Sequence, residues 1–180
     1  MTRTTFTRTT LSTALLLLAV PSMANAATLS VTVNKIDENG VGVAVGTLAL
    51  EDTAAGLKIT PNLTALPPGP HGFHVHANAS CGPGEQDGRK VAGLAAGGHF
   101  DPAKSGKHLG PASNDGHKGD MPVLVAAADG TAKAAVTVPH LTVAEATGHA
   151  IVIHAGGDNF ADTPAPLGGG GARIACGVVK

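Results

Sequence analysis

The sequence predicts an all-β domain: an eight-stranded antiparallel barrel, closed or nearly closed, interrupted by two long loops. Three observations predict it. Short segments of alternating apolar and polar residues recur along the chain, and clusters of Gly, Asn, Asp and Pro separate them. No stretch keeps a helical period over several capped turns. Eight such segments are enough to close a small barrel and leave no open sheet edge.

In order, strands are predicted over 28–36, 41–50, 56–63, 72–77, 121–127, 131–138, 148–154 and 172–179. Asp37, Glu38, Asn39 and Gly40 join the first two as a hairpin turn, and Asp129-Gly130 links the fifth and sixth likewise. A short helical turn is expected around 141–146, where Thr142 stands as N-cap and Glu145, three residues on, completes a capping box. Two stretches, 78–120 and 155–171, fall outside the strand rhythm. Connections this long are uncommon in a compact domain unless they carry function, so a site is to be sought there.

The N-terminus has a different character. Arg3 and Arg8 precede an apolar run over 11–20, then Pro21, Ser22 and the small-residue triplet Ala24-Asn25-Ala26, the pattern of a secretory signal peptide. The run is well short of the roughly 20 residues that span a bilayer, so no transmembrane anchor is expected. Cleavage after Ala26 leaves a domain over 27–180, placed in the periplasm or secreted. In that oxidising compartment Cys81 and Cys176, the only two cysteines, are expected to form a disulfide. Neither has a second Cys at the CxxC spacing of a zinc site.

Composition excludes other classes. Lys and Arg number 12 against 13 Asp and Glu, and the chain has four Phe but no Trp or Tyr. It therefore lacks the basic block and stacking aromatics that nucleic acid requires. The 25 glycines fit a core of Val, Ile, Leu and Ala joined by many tight turns.

The nine histidines carry the chemistry, and six of them fall between 71 and 117. In the strand over 72–77, His74 and His76 share one face while Phe73 and Val75 share the other. The apolar pair belongs in the core, so the two imidazoles stand on the outer wall beneath the loops. By the same parity Ile151 and Ile153 point inward and leave His154 outside. Converging neutral imidazoles suit copper or zinc rather than magnesium or calcium, which prefer oxygen. The loop adds His99, His108, His117 and Asp120, three nitrogens and a carboxylate that make a full tetrahedral zinc shell. A metal could fold that Gly- and Pro-rich loop around itself. His71 is expected to point coreward as a hydrogen-bonded structural residue, and His140 and His149 to be solvated at strand ends.

The stretches GPHGFHVH (69–76), GGHFDP (97–102), GHKGD (116–120) and GGGGARIACG (168–177) resemble the copper,zinc superoxide dismutases over nearly all of 27–180. GGDN (156–159) and PAPLG (164–168) resemble the bacterial secreted branch. The resemblance implies a Greek-key barrel that converts superoxide to dioxygen and hydrogen peroxide, protecting against oxidative stress with one copper and one zinc per subunit. It implies copper at His74, His76, His99 and His154, and zinc at His99, His108, His117 and Asp120. His99 then bridges the two ions as an imidazolate, a charge state that two flanking cations make accessible. In the family, copper cycles between two oxidation states, and the bridging histidine leaves reduced copper and carries a proton to the peroxide. Zinc stays structural.

Arg173 matches the family's arginine, which docks superoxide beside copper with a charge it cannot lose. Asp158 matches the carboxylate that accepts hydrogen bonds from one copper and one zinc histidine and orients both. Asn159 and Asp162 are close enough in sequence to be confused with it. The cytosolic branch carries charged residues ahead of the arginine, whereas 163–171 has none, so Arg89 and Lys90 are candidates for steering the anion. A rival reading is a periplasmic module that carries copper without chemistry; it needs the ligands but has no use for Arg173. Whether the chain pairs as a homodimer is left open.

Overall fold

The computed structural model describes Met1 and residues 28–180, so the expected signal peptide and its cleavage point lie outside the described residues. The strands are β1 (Leu29–Asp37), β2 (Gly40–Thr53), β3 (Gly56–Leu63), β4 (Gly69–His71), β5 (Phe73–His76), β6 (Gly84–Gln86), β7 (Arg89–Val91), β8 (Leu124–Ala126), β9 (Val136–Val138), β10 (Ala150–His154) and β11 (Arg173–Val178). One helical turn, α1 (Val143–Ala146), and two 3-10 turns, Leu94–Ala96 and Pro166–Gly169, complete the described residues. Seven strands form one sheet in the order β5-β10-β11-β1-β2-β3-β9, while β4-β8 and β6-β7 are two-stranded ribbons.

The all-β antiparallel class stands, but the count of eight does not. Each of the eight predicted segments holds one of β1, β2, β3, β5, β8, β9, β10 and β11. β4 is additional, split from β5 at Gly72, whose N–H donates to Gly156 O (2.7 Å) and whose carbonyl accepts from His154 N–H (2.8 Å). There the chain leaves its partner β8 and crosses to β10. The result is a seven-stranded half-barrel completed by the β4-β8 ribbon rather than by a continuous ladder. The β6-β7 hairpin lies within the first long loop and turns on Asp87 and Gly88, both with positive φ (52° and 72°), as a primed hairpin turn requires.

Period-two alternation builds the core. Val31 and Val33, Leu48 and Leu50, Leu57 and Ile59, Phe73 and Val75, and Ile151 and Ile153 meet on the inner face and are essentially inaccessible. Each such side chain contributes about 1.5–3 kcal/mol by leaving water, and Phe73→Ala would cost about 3–5 kcal/mol because the cavity cannot fully collapse. The intervening residues build a second, outer layer. Val152 and Cys176 face outward and pack with Ile36, Ala96 and Ala150 against Cys81, which is disulfide-bonded to Cys176. That layer fastens the first long loop to the outer wall of β10 and β11.

The local signals at the turns are realised. Asp37 Oδ1 accepts from Asn39 N–H (2.7 Å) and Gly40 N–H (3.0 Å), and the box at α1 is reciprocal between Thr142 and Glu145. The Asp129-Gly130 turn is tight, with Ala127 N–H donating to Thr131 O (2.8 Å). Its flanking strands nevertheless part, since β8 pairs with β4 and β9 with β3.

Candidate metal centre

β5 places His74 and His76 on its outer face, and β10 ends at His154 beside them. A register shift between Ile153 and His154 leaves Ile174 as the extra residue and sets Arg173 opposite His154; bulges of this kind re-aim side chains. The first long loop then lies along β5, the sheet's free edge. Phe100 N–H donates to Val75 O (2.8 Å) and Val75 N–H to Gly119 O (2.9 Å), which brings His99 beside His76 and Asp120 beside His74. His74, His76, His99, His108, His117, His154 and Asp120 are all buried.

Hydrogen bonds fix which nitrogen of each ring faces inward. His76 Nδ1–H donates to Gly97 O (2.9 Å), His154 Nδ1–H to Gly171 O (3.1 Å), His74 Nε2–H to Asp158 Oδ2 (2.7 Å) and His108 Nε2–H to Asp158 Oδ1 (2.8 Å). In each neutral ring the opposite nitrogen then carries a lone pair. Those of His76 Nε2 and His154 Nε2 face each other at 3.3 Å, and His74 Nδ1, His108 Nδ1 and His117 Nδ1 are buried with no hydrogen-bond partner. A buried polar atom without a partner costs about 1–3 kcal/mol. Converging lone pairs of this kind are satisfied by a metal ion, and the donors, imidazole nitrogens with one carboxylate, suit copper and zinc.

The ligand atoms form two sets, each within 4.8 Å: His74, His76, His99 and His154, and His74, His99, His108 and Asp120. His74 and His99 belong to both. His99 Nδ1 lies 3.0 Å from Asp120 Oδ1 and its ring stacks on His74 at 4.0 Å. Asp120 Oδ1 also lies 3.0 Å from His108 Nδ1 and 3.4 Å from His117 Nδ1, contacts without hydrogen-bond angles, while its Oδ2 accepts from Leu109 and Gly110 N–H (3.3 and 3.2 Å). His117 therefore stands at the rim of the second set rather than within it.

The family model for copper/zinc superoxide dismutase (SODC) matches residues 44–179. The chain belongs to this family. It is 52% identical over 171 residues to superoxide dismutase [Cu-Zn] 2 of Salmonella typhimurium, covering 94% of this chain and 98% of that protein. Among solved structures it resembles the Cu/Zn superoxide dismutase from Brucella abortus (TM-score 0.83, 48% identity, 86% of this chain and 100% of that one). It also resembles the monomeric copper, zinc superoxide dismutase from Salmonella enterica (TM-score 0.77, 54% identity, 86% and 100%).

In this member of the superoxide dismutases, burial and neighbouring charge divide the histidines into two kinds. Burial, reinforced by the other rings and by Arg173, lowers His154 to about 3 and holds His76 well below its ordinary value. Burial likewise lowers His99 to about 4, although Asp120 pulls the other way. At His108 burial also acts downward, but the close Asp120 carboxylate and the hydrogen-bonded Asp158 overcome it and raise the ring to about 9. The two carboxylates lie below the usual range, because their histidine partners outweigh the burial that would raise them. Protons and metal ions compete for these positions.

Within the second long loop, Asp158 is the carboxylate that touches two rings, and its neighbours have other partners. Asn159 Nδ2 donates to Thr163 O (2.9 Å), whereas Asp162 Oδ2 accepts from the His108 backbone N–H (2.9 Å), a tie between the two loops that no local sequence pattern signals. Gly168 was also missed: at φ 73° it lies so close to Asp158 Oδ1 and His108 Nε2 that a Cβ would collide with both. Arg173 donates to Gly93 O and Gly97 O (2.6 and 2.7 Å). Arg89 and Lys90 are exposed on β7, and Lys90 lies opposite Glu85, which partly offsets its charge. His71 is buried between the carbonyls of His154 and Pro67, each 2.7 Å from a ring nitrogen. His140 and His149 belong to neither ligand set, and His149 Nδ1–H donates to Ala77 O (2.8 Å).

Proposed function

We infer that the chain is an exported superoxide dismutase that converts superoxide to dioxygen and hydrogen peroxide. One observation carries the reading: of the two rings common to both ligand sets, His74 is tied through Nε2 to Asp158, whereas His99 has Nδ1 against Asp120 (3.0 Å) and its ring between those of His76 (5.1 Å) and His117 (5.3 Å), the place of a bridge between two ions. His74, His76, His99 and His154 would hold copper, and His99, His108, His117 and Asp120 zinc. Copper supplies the one-electron redox change and zinc a fixed charge. Asp120 holds His99 Nδ1, so a proton exchanged by this ring moves at Nε2. Asp158 holds His74 and His108 in the tautomers that turn Nδ1 inward. Arg173 uses two of its five N–H donors on backbone carbonyls, which leaves three for a small anion.

No helix among the described residues is long and apolar enough to cross a membrane. The N-terminal pattern supports export to the periplasm, and an intact mass beginning at Ala27 would establish cleavage. The Salmonella enterica relative is described as monomeric, and sedimentation of this chain will decide between monomer and homodimer.

The test is superoxide turnover alongside copper and zinc content in wild type and in Arg173→Glu, Arg173→Lys and Arg173→Ile. Enzyme and carrier differ here, because Arg173 binds no metal. Copper content should hold in all four proteins, with activity falling in the order wild type, Lys, Ile, Glu. Screening sets in over a Debye length of about 10 Å at 0.1 M salt, so the wild type should slow as salt rises and the Glu variant should slow less. A Glu variant with full copper, wild-type rate and wild-type salt dependence would remove Arg173 from the mechanism. Metal binding without any turnover in the wild type would leave the carrier reading.

A further inference from the structure

The Arg173 guanidinium occupies a built seat. Its two acceptors, Gly93 O and Gly97 O, stand at the two ends of the 3-10 turn Leu94–Ala96. Each carbonyl accepts a second donor: Gly93 O from Ala96 N–H (3.0 Å), and Gly97 O from His76 Nδ1–H (2.9 Å). The guanidinium is thus held by two carbonyls that are themselves fixed, one by the turn and one by a ring of the histidine cluster. Asn78 ties the turn to the end of β5, its Nδ2 donating to Ala95 O (3.0 Å) and its backbone N–H to Ala96 O (2.9 Å).

Space at Gly93 is more restricted than hydrogen bonding alone requires. It adopts φ 63°, and a Cβ there would lie 2.7 Å from Ile36 Cδ1 and 3.3 Å from Arg173 Cδ. Ile36 is packed in the outer apolar layer with the disulfide. The methyl would be wedged between Ile36 and the stem of Arg173, so relieving the contact presses on the arginine.

We propose that Gly93 is a positioning residue for Arg173: its missing side chain, as much as its carbonyl, sets where the guanidinium sits relative to the histidine cluster. The proposal rests on the reading of Arg173 as the group that docks superoxide. A displacement of about 1 Å at a docking group can cost about 10²-fold in rate, and a methyl group in contact with the arginine stem is enough to cause one.

The experiment compares Gly93→Ala with the wild type, both loaded with copper and zinc. Expected are unchanged metal content, kcat/KM for superoxide lowered about tenfold or more, and affinity for azide, a small anionic probe, lowered in parallel. In zinc-loaded, copper-free protein the Arg173 guanidinium N–H resonances should be distinct in the wild type and collapse by exchange in the variant. Gly88→Ala is the control for backbone strain alone, since Gly88 also has positive φ (72°) but nothing within 4 Å of its Cβ position. It should behave as wild type. Ile36→Val removes Cδ1, so the Gly93→Ala/Ile36→Val protein should recover turnover, azide affinity and the resolved resonances. Equal losses in Gly88→Ala and Gly93→Ala, or no recovery in a metal-loaded double variant, would overturn the proposal. Arg173→Ala run in parallel separates the two levels. If it turns over superoxide at the wild-type rate, the docking role itself falls. If it is slow while Gly93→Ala is unaffected, only the role of Gly93 falls.

Discussion

Breaking the Cys81–Cys176 bond perturbs the loop that carries the arginine's seat without touching a metal ligand. The bond joins cysteines 95 positions apart in sequence, a separation for which the chain-entropy relation gives about 4.7 kcal/mol of stabilisation. Cys81→Ser/Cys176→Ser removes the cross-link and leaves no lone thiol, though it sets two hydroxyls in the outer apolar layer. That layer otherwise remains, since Ile36, Ala96, Ala150 and Val152 still pack there. A loss of about 3–5 kcal/mol is therefore expected, a large share of the roughly 5–15 kcal/mol typical of a domain. Urea unfolding of the metal-free protein measures it. The midpoint should fall and the slope should rise, because a denatured chain freed of a long cross-link exposes more surface. Metal retention should weaken while some turnover survives. Equal unfolding free energies for wild type and variant would refute the assignment of the disulfide as a principal support of this loop.

Three further outcomes are expected. Metal-free protein should be most stable near pH 6.5: His99 and His154, lowered to about 4 and 3, contribute stability that is lost as pH falls below the unfolded value of about 6.5, whereas His108, raised to about 9, contributes stability that is lost as pH rises from 6.5 through 9. A melting temperature that rises steadily from pH 4 to 9 would contradict this, and loading with copper and zinc should flatten the profile. Asp158→Ala should lower metal affinity about 10–100-fold by releasing His74 and His108, read by competition with a chelator; unchanged affinity would remove Asp158 as their orienting group. Withdrawing zinc should increase hydrogen exchange across 99–120 far more than in β1–β3, and equal protection with and without zinc would argue against a metal-ordered loop.

The sequence revealed whatever depends on local period and spacing. Alternation at Phe73 and Val75, and at Ile151 and Ile153, shows which faces are apolar, and from these follows the outward placement of His74, His76 and His154. The capping box at Thr142 and Glu145 is equally local. Features that depend on pairing were hidden. The break at Gly72 is set by hydrogen bonds to Gly156 and His154, more than eighty residues away, and alternation cannot show it. The β6-β7 hairpin did carry a signal, Asp87-Gly88, but its strands are three residues each, too short for an alternation pattern. Asp162 and Gly168 act through contacts between two loops, for which no pattern exists in the chain.

Edge protection and ligand assembly are the same event in this fold. β5 is the last strand of the seven-stranded sheet, and its free edge would present unpaired backbone groups. The bonds between Val75, Phe100 and Gly119 cover that edge, and they do so in the register that sets His99 against His76 and Asp120 against His74. A slip of one residue would turn each loop ligand to the wrong face. The loop has little apolar material to hold that register: Phe100 reaches the core edge, while His99, His108, His117 and Asp120 are buried as polar groups. Burying them without ions leaves unpartnered nitrogens and opposed lone pairs, so the geometry that completes the sheet is also the geometry that two cations would stabilise most.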